Sequence, residues 1–344
     1  MQGTTFARAA FALAVVVSAP AVWAQNVKIT PLGSHDGELC DRDRATIFED
    51  PTGVRILYDA GHSVTGGDDV RLGDVHVVLL SHAHGDHMGD RRMKALGAGT
   101  CAAAETISAA PNSTTAEIAA AKNAAIIMIA DMGAFIGKKV QNVQGKPTAN
   151  CAEAAGSITV PLPAPCLANV HLGGTRVVKT AGAAKGVEIT TIHAAHASGV
   201  SRDLLTDPEK ANLALDNLTM QLGPPSGYVI AFTNGLKVYL SGDTGLHSEM
   251  KTLVNEYHKA NLAVMNLGTS AVTMHAAAYA INNLVAPAAV IASHVNEAAT
   301  AGGKLRPESR TAAFTALVKG RPVYPAVSGK TMEFDGSARC VAGC

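Results

Sequence analysis

Ser81-His82-Ala83-His84-Gly85-Asp86-His87 is the part of the chain around which the remainder can be read. Three histidines and an aspartate fall together directly after Val75-His76-Val77-Val78-Leu79-Leu80, a run that reads as a buried strand. Two histidines two residues apart project to the same side of an extended chain. Asp86 and His87 follow where the chain turns into its next element. Neutral imidazole and carboxylate are the donors that a borderline-soft divalent ion such as zinc takes. The cluster therefore reads as the seat of a metal site at the end of a strand.

Working outward, Val27 to Pro31 alternates like a first strand, and Ala45 to Glu49 with Val54 to Tyr58 reads as a hairpin across Asp50-Pro51-Thr52-Gly53. That hairpin runs straight into Asp59-Ala60-Gly61, which by itself reads as a simple turn. Downstream, Met88 to Leu96 reads as a helix. An Ala/Gly/Ser/Thr-rich part follows, then an apolar helix candidate, Ala116 to Phe135, and a Gly/Pro/Ala-rich end from Gln141 to Pro165. The apolar stretch suits either a pocket wall or a core helix.

Val170 to Thr180 and Val187 to Ile192 read as strands, the second ending at His193-Ala194-Ala195-His196-Ala197-Ser198-Gly199. Gly227 to Phe232 and Leu236 to Leu240 form a hairpin that ends in Ser241-Gly242-Asp243-Thr244-Gly245. A helix over Leu246 to His258, a strand over Leu262 to Leu267, a helix over Ala276 to Leu284 and a strand over Ala289 to Ala292 complete the pattern. The last strand stops at Ser293-His294. Strand after strand ends at a candidate ligand, as a site at one sheet edge requires.

The 344 residues balance 28 Lys+Arg against 28 Asp+Glu. A neutral chain carries no electrostatic footprint for nucleic acid or an anionic membrane. Arg8, the apolar run Ala9 to Ala19, Pro20 and Ala21-Val22-Trp23-Ala24 read as a signal peptide over residues 1–24, cut before Gln25. The apolar run is too short for a membrane span, and no stable membrane anchor is expected. Periplasmic or secreted location follows as the expectation. Cys40, Cys101, Cys151, Cys166, Cys340 and Cys344 contain no CxxC pair and suit structural disulfides in an oxidising compartment. Their pairing is open; Cys151 with Cys166 and Cys340 with Cys344 are the short-range choices.

His-x-His-x-Asp-His after a hydrophobic strand resembles the signature of the metallo-β-lactamase superfamily. Tyr239-Leu240-Ser241-Gly242-Asp243-Thr244-Gly245 resembles its strand-Gly-Asp-Thr-Gly motif. Ala194 to Ser198 and Ile291-Ala292-Ser293-His294 resemble its two later histidine motifs, with Ala292 where relatives usually carry proline. The branch it is most similar to holds L-ascorbate-6-phosphate lactonase-like and N-acylphosphatidylethanolamine phospholipase D-like enzymes. The resemblance implies an α/β (α+β) chain, a four-layer αββα sandwich. Residues 25–344 would be one domain with an insertion at about 97–168.

Carried over by position, the resemblance gives one zinc His82, His84 and His196, and a second zinc Asp86, His87 and His294, with Asp243 bridging the two. Mn2+ or Fe2+ in place of Zn2+ stays open. A metal-bridging hydroxide would attack an ester, lactone or phosphodiester, and Asp86 could take the proton. Asp59 would hydrogen-bond the metal loop from behind. His193 competes with His196, which the motif context favours, and His193 and His275 remain candidates for support or substrate contact. His62 reads as structural. A small-molecule substrate is expected and nucleic acid is not. Competing readings are a β-lactamase, which the bridging carboxylate argues against, a nuclease, which the neutral charge argues against, and a non-catalytic metal-binding protein on the same scaffold.

Overall fold

The structure, a computed structural model, describes residues 26–268 and 271–344, together with Met1 and Gly3. The cut before Gln25 and the apolar run of the expected signal peptide lie outside the described residues. Among the described residues, no helix is long and apolar enough to cross a membrane.

Two large sheets dominate. The first has nine strands, and at its centre Arg55–Tyr58, Val77–Leu79, Ala125–Ile129 and Cys166–Val170 run parallel. The second has eight, with Lys237–Leu240, Leu262–Asn266, Ala289–Ser293 and Val323–Pro325 parallel. Alternation along each strand builds the layers. Val77, Leu79, Ala125 and Ile127 belong to the core shared with Ile189, Tyr228, Ile230 and Val238 of the second sheet. Val78, Leu80, Ile126 and Met128 face the other way, onto Ile118 and Ala119 of the helix Thr114–Lys122 and Ile136 and Val140 of the helix Gly133–Gln144. Helical residues Val254, Ile281 and Phe314 pack with the second sheet. The arrangement is the expected αββα sandwich, and strands buried on both faces explain why the parallel segments read as continuous apolar runs.

Three local expectations need correction. The helix placed at Met88 to Leu96 is the short turn Gly85–Met88, stopped by Gly89 at φ +79° and followed by the strand Arg91–Met93. A Cβ on Gly89 would meet the Thr114 side chain at 2.5 Å and the Gly61 carbonyl at 2.8 Å, so the chain must turn there. The single helix expected over Ala116 to Phe135 is a helix, Thr114–Lys122, a left-handed Asn123 and then a strand, Ala125–Ile129, buried at every position. A short apolar run rich in isoleucine fits a buried helix and a buried parallel strand equally well, and sheet pairing decided it. Val170 to Thr180 divides at a turn into Cys166–Val170 of the first sheet and Thr175–Thr180 of the second. The helix expected over Leu246 to His258 is present as a π-helix, Met250–Tyr257.

Disulfides join Cys151 to Cys166 and Cys340 to Cys344. The third, Cys40 to Cys101, ties the turn before the second strand to the segment after the metal-loop region.

Candidate metal centre

Parallel strands deliver loops to one edge, and that edge is where open α/β sheets bind ligands. Val77–Leu79 leads into the His82–His87 loop, Lys237–Leu240 into Asp243, Ala289–Ser293 into His294. Val187–His193 reaches the same edge and leads to His196. His294 itself sits at φ +51° and Asp59 at φ +40°, a left-handed conformation that non-glycine residues seldom adopt and that clusters at functional sites.

The side chains converge in two groups. Ligand atoms of His82, His84, His196 and Asp243 lie within 4.8 Å of one another, and so do those of Asp86, His87 and His294. Asp243 lies between them. Its Oδ2 faces His196 Nε2 at 3.5 Å, while its Oδ1 faces His294 Nε2 at 2.8 Å and His87 Nε2 at 3.4 Å. The structure thus brings together the seven residues His82, His84, Asp86, His87, His196, Asp243 and His294, and leaves His193 outside both groups.

The hydrogen bonds behind the cluster set its tautomers. Asp59 Oδ1 accepts from the Ser81 backbone N–H at 2.8 Å, and Oδ2 accepts from Ser81 Oγ and His87 Nδ1, each at 2.7 Å. Ser81 has one hydroxyl proton and spends it on Asp59, so its oxygen can accept from His82 Nδ1 at 2.9 Å. Both His82 and His87 thus carry hydrogen at Nδ1 and turn Nε2 inward, the arrangement that metal-ligating histidines use. Arg44 Nη2 donates to Asp86 Oδ2 at 2.8 Å and to Asn296 Oδ1 at 2.5 Å.

Electrostatics agree with a site built for cations. Burial raises the Asp243 carboxyl pKa, but His294 and His87 hold it well below the ordinary value. Burial likewise opposes the Asp86 charge, and His87, Arg44 and His294 win, again holding it well below. Burial lowers His82 well below the usual imidazole range. His87 goes the other way: burial lowers it, yet Asp243, Asp59 and Asp86 lift it to about 10. His87 Nε2 faces His294 Nε2 at 3.1 Å. His82 Nε2 and His84 Nδ1 face each other at 2.9 Å. Inward nitrogens this close, flanked by two carboxylates, fit a divalent cation on each group.

Other candidates fall outside the two groups. His193 packs its ring on His247, centroids 5.5 Å apart. His275 is exposed in the first turn of the helix Met274–Tyr279. His62 Nε2 pairs with Asp90 Oδ1 at 2.6 Å. Sequence reading missed Ser81 as a relay and Arg44 altogether. Ser81 carried a signal, since it abuts His82; nothing about Arg44 distinguished it from any other arginine.

Residues 54–309 match the family described as Beta-lactamase superfamily domain. A UPF0173 metal-dependent hydrolase of Polynucleobacter asymbioticus is 27% identical over 83% of this chain and 81% of its own. Another, of Cupriavidus taiwanensis, is 25% identical over 76% of this chain and 72% of its own. Among solved structures, Igni18, a metallo hydrolase from Ignicoccus hospitalis, superposes with a TM-score of 0.54 at 21% identity, covering 90% of this chain and 99% of its own. With that fold, that edge and that cluster, the chain belongs to the beta-lactamase superfamily and is a metal-dependent hydrolase.

Proposed function

We propose that the chain is a dinuclear zinc hydrolase acting on a small ester, lactone or phosphodiester. The observation that carries this is the position of Asp243, with one oxygen toward each group of ligands. His82, His84 and His196 would hold one ion, Asp86, His87 and His294 the other, and Asp243 both. Bound there, zinc supplies Lewis acidity and a water acidic enough to lose a proton near neutral pH.

The chain's own residues do the positioning. Asp59 and Ser81 keep the Nδ1 protons of His87 and His82 in place, so both rings stay aimed inward. Arg44 fixes Asp86 through Oδ2, the same oxygen that faces His87 and His294 Nε2 at 3.9 and 3.8 Å, where Asp86 would help hold an ion and receive a proton from water. His87, Arg44 and His294 keep Asp86 ionised against its burial, so a proton it accepted would pass on readily to the leaving oxygen. A β-lactam remains the alternative substrate, and a non-catalytic metal-binding role the alternative outside enzymology.

We read residues 25–344 as one domain with an insertion at about 97–168, exported to the periplasm or the medium after loss of residues 1–24. The n-region and apolar run of the sequence support export, and cystines persist in such compartments. The export reading predicts a mature N-terminus at Gln25; an intact Met1 on protein recovered from cytoplasm would sink it. For the activity, the zinc-loaded protein is assayed against lactones, aryl esters, phosphodiesters and β-lactams, with metal content measured alongside. Two zinc ions per chain and turnover of an ester, lactone or phosphodiester are expected. Turnover of β-lactams alone selects the alternative enzyme. Tight metal without any turnover favours the binding protein.

A further inference from the structure

Two arginines of one turn face Asp86, in opposite circumstances. Arg44 is buried and committed to Asp86 and Asn296. Arg42 is exposed, its Nη1 3.9 Å from Asp86 Oδ2 and its Nε 3.8 Å from Asp41 Oδ2. Neither separation is a hydrogen bond. A cationic fork therefore stands beside the cluster with its donors uncommitted.

The turn that carries it is tied at several points. Asp43 Oδ1 accepts from the Ser34 N–H at 2.8 Å and Oδ2 from the Cys40 N–H at 2.9 Å. Cys40 is bonded to Cys101, and the Asp41 N–H donates to the Cys101 carbonyl at 3.0 Å. Arg42 itself is held at φ +63°. An arginine kept in a disfavoured backbone conformation on so well tied a turn points to a use for its side chain. Beside it opens a cavity of about 140 Å³, walled by Arg42, His62, Met93, Ala103, Ala104 and Thr106. His62 is spent on Asp90, and Asp43 on backbone amides. Asp41, which lines the same cavity, is the carboxylate with which an incoming anion must compete.

We propose that Arg42 anchors an oxyanion on the substrate. The preferred substrate is then an ester or lactone with a second, charged group, a carboxylate or a phosphate-type oxyanion. That group lies against Arg42 while the scissile bond lies at the cluster. This rests on the hydrolase reading above and narrows its substrate class. A guanidinium matches such oxyanions with two parallel N–H donors, which an ammonium does not. Arg42 makes and breaks no bond. Water adds at the carbonyl carbon, the carbon–oxygen bond to the leaving group breaks, and the water's two hydrogens end on the acid and the alcohol.

Three esters of matched length test it on the zinc-loaded full chain: p-nitrophenyl pentanoate, mono-p-nitrophenyl glutarate and p-nitrophenyl 4-phosphonobutyrate. The charged pair should be preferred, and whichever of the two leads identifies the oxyanion. Arg42→Ala should lower the charged-to-neutral ratio of kcat/KM by about 30-fold, the scale of one charge-assisted pair, chiefly through KM. Arg42→Lys should recover part of it. Calorimetry with glutarate reads the anchor without turnover, and Arg42→Ala should weaken that binding at least about tenfold. An unchanged ratio, or glutarate that binds wild type and Arg42→Ala alike or not at all, overturns the proposal. If wild type hydrolyses none of the esters, the hydrolase reading fails for that class, and the glutarate titration still decides Arg42.

Discussion

Asp59 accepts the His87 Nδ1 proton at 2.7 Å, and the oxygen that does so also accepts Ser81 Oγ at 2.7 Å. One carboxylate thereby orients two inward-facing imidazoles, His87 directly and His82 through Ser81. Asp59→Asn keeps the size of the group but removes the charge and one acceptor. We expect metal affinity to fall about 10- to 100-fold, with the fold intact. Ser81→Ala should cost less, because it loosens His82 alone. Chelator competition monitored by metal content checks both. Affinity unaltered by Asp59→Asn would mean that the relay does not act on the metals.

Metal uptake should release protons. His87, lifted to about 10 by Asp243, Asp59 and Asp86 against the effect of burial, is protonated at pH 7 when no metal is bound. A metal at Nε2 requires that proton to leave. Affinity therefore rises with pH, by about tenfold per unit for each proton displaced, until the metal-free pKa is passed. Calorimetric zinc titrations in buffers of different ionisation enthalpy should show release of at least about one proton per chain at pH 7. No buffer dependence would contradict the charged state assigned to His87.

Ile127 lies in the apolar stretch that suits either a pocket wall or the core, and in a pocket wall serine there would shift KM across acyl lengths. Its place in a fully buried strand changes the expectation. Ile127→Ser removes packing between the sheets and buries a hydroxyl, at a cost of about 3 kcal/mol or more. Denaturant unfolding should show the loss, and KM should stay flat across substrates of different chain length in whatever protein remains folded. A KM shift without destabilisation would return the residue to the pocket.

Much of this site could be read from the sequence because ligands must sit where strands end. His82, His84, His87, His196, Asp243 and His294 each follow a recognisable strand, and the strands are short apolar runs with turn residues after them. Asp59 was legible for the same reason. Arg44 was not, because its partner Asn296 lies far along the chain and no local pattern foretells the contact. Ala125–Ile129 was misread because an apolar run of that length carries no period to separate helix from strand, and only its neighbours Val77–Leu79 and Cys166–Val170 fix it. The Cys40–Cys101 pairing was hidden for a like reason, since it spans 61 positions and depends on how the intervening chain folds back.

If Asp243 joins two metal sites, its removal should disturb both ions at once. A carboxylate between two dications offsets their repulsion and sets their separation. Asp243→Ala and His193→Ala are loaded with zinc, dialysed together with wild type, and assayed for metal per chain. Wild type and His193→Ala should each retain close to two ions, because His193 packs edge-on against His247 outside both ligand groups. Asp243→Ala should lose both, or keep one and exchange the other, with activity on any substrate of the panel down by orders of magnitude. Two ions firmly held by Asp243→Ala at full activity, or metal lost from His193→Ala but kept by His196→Ala, would contradict the account.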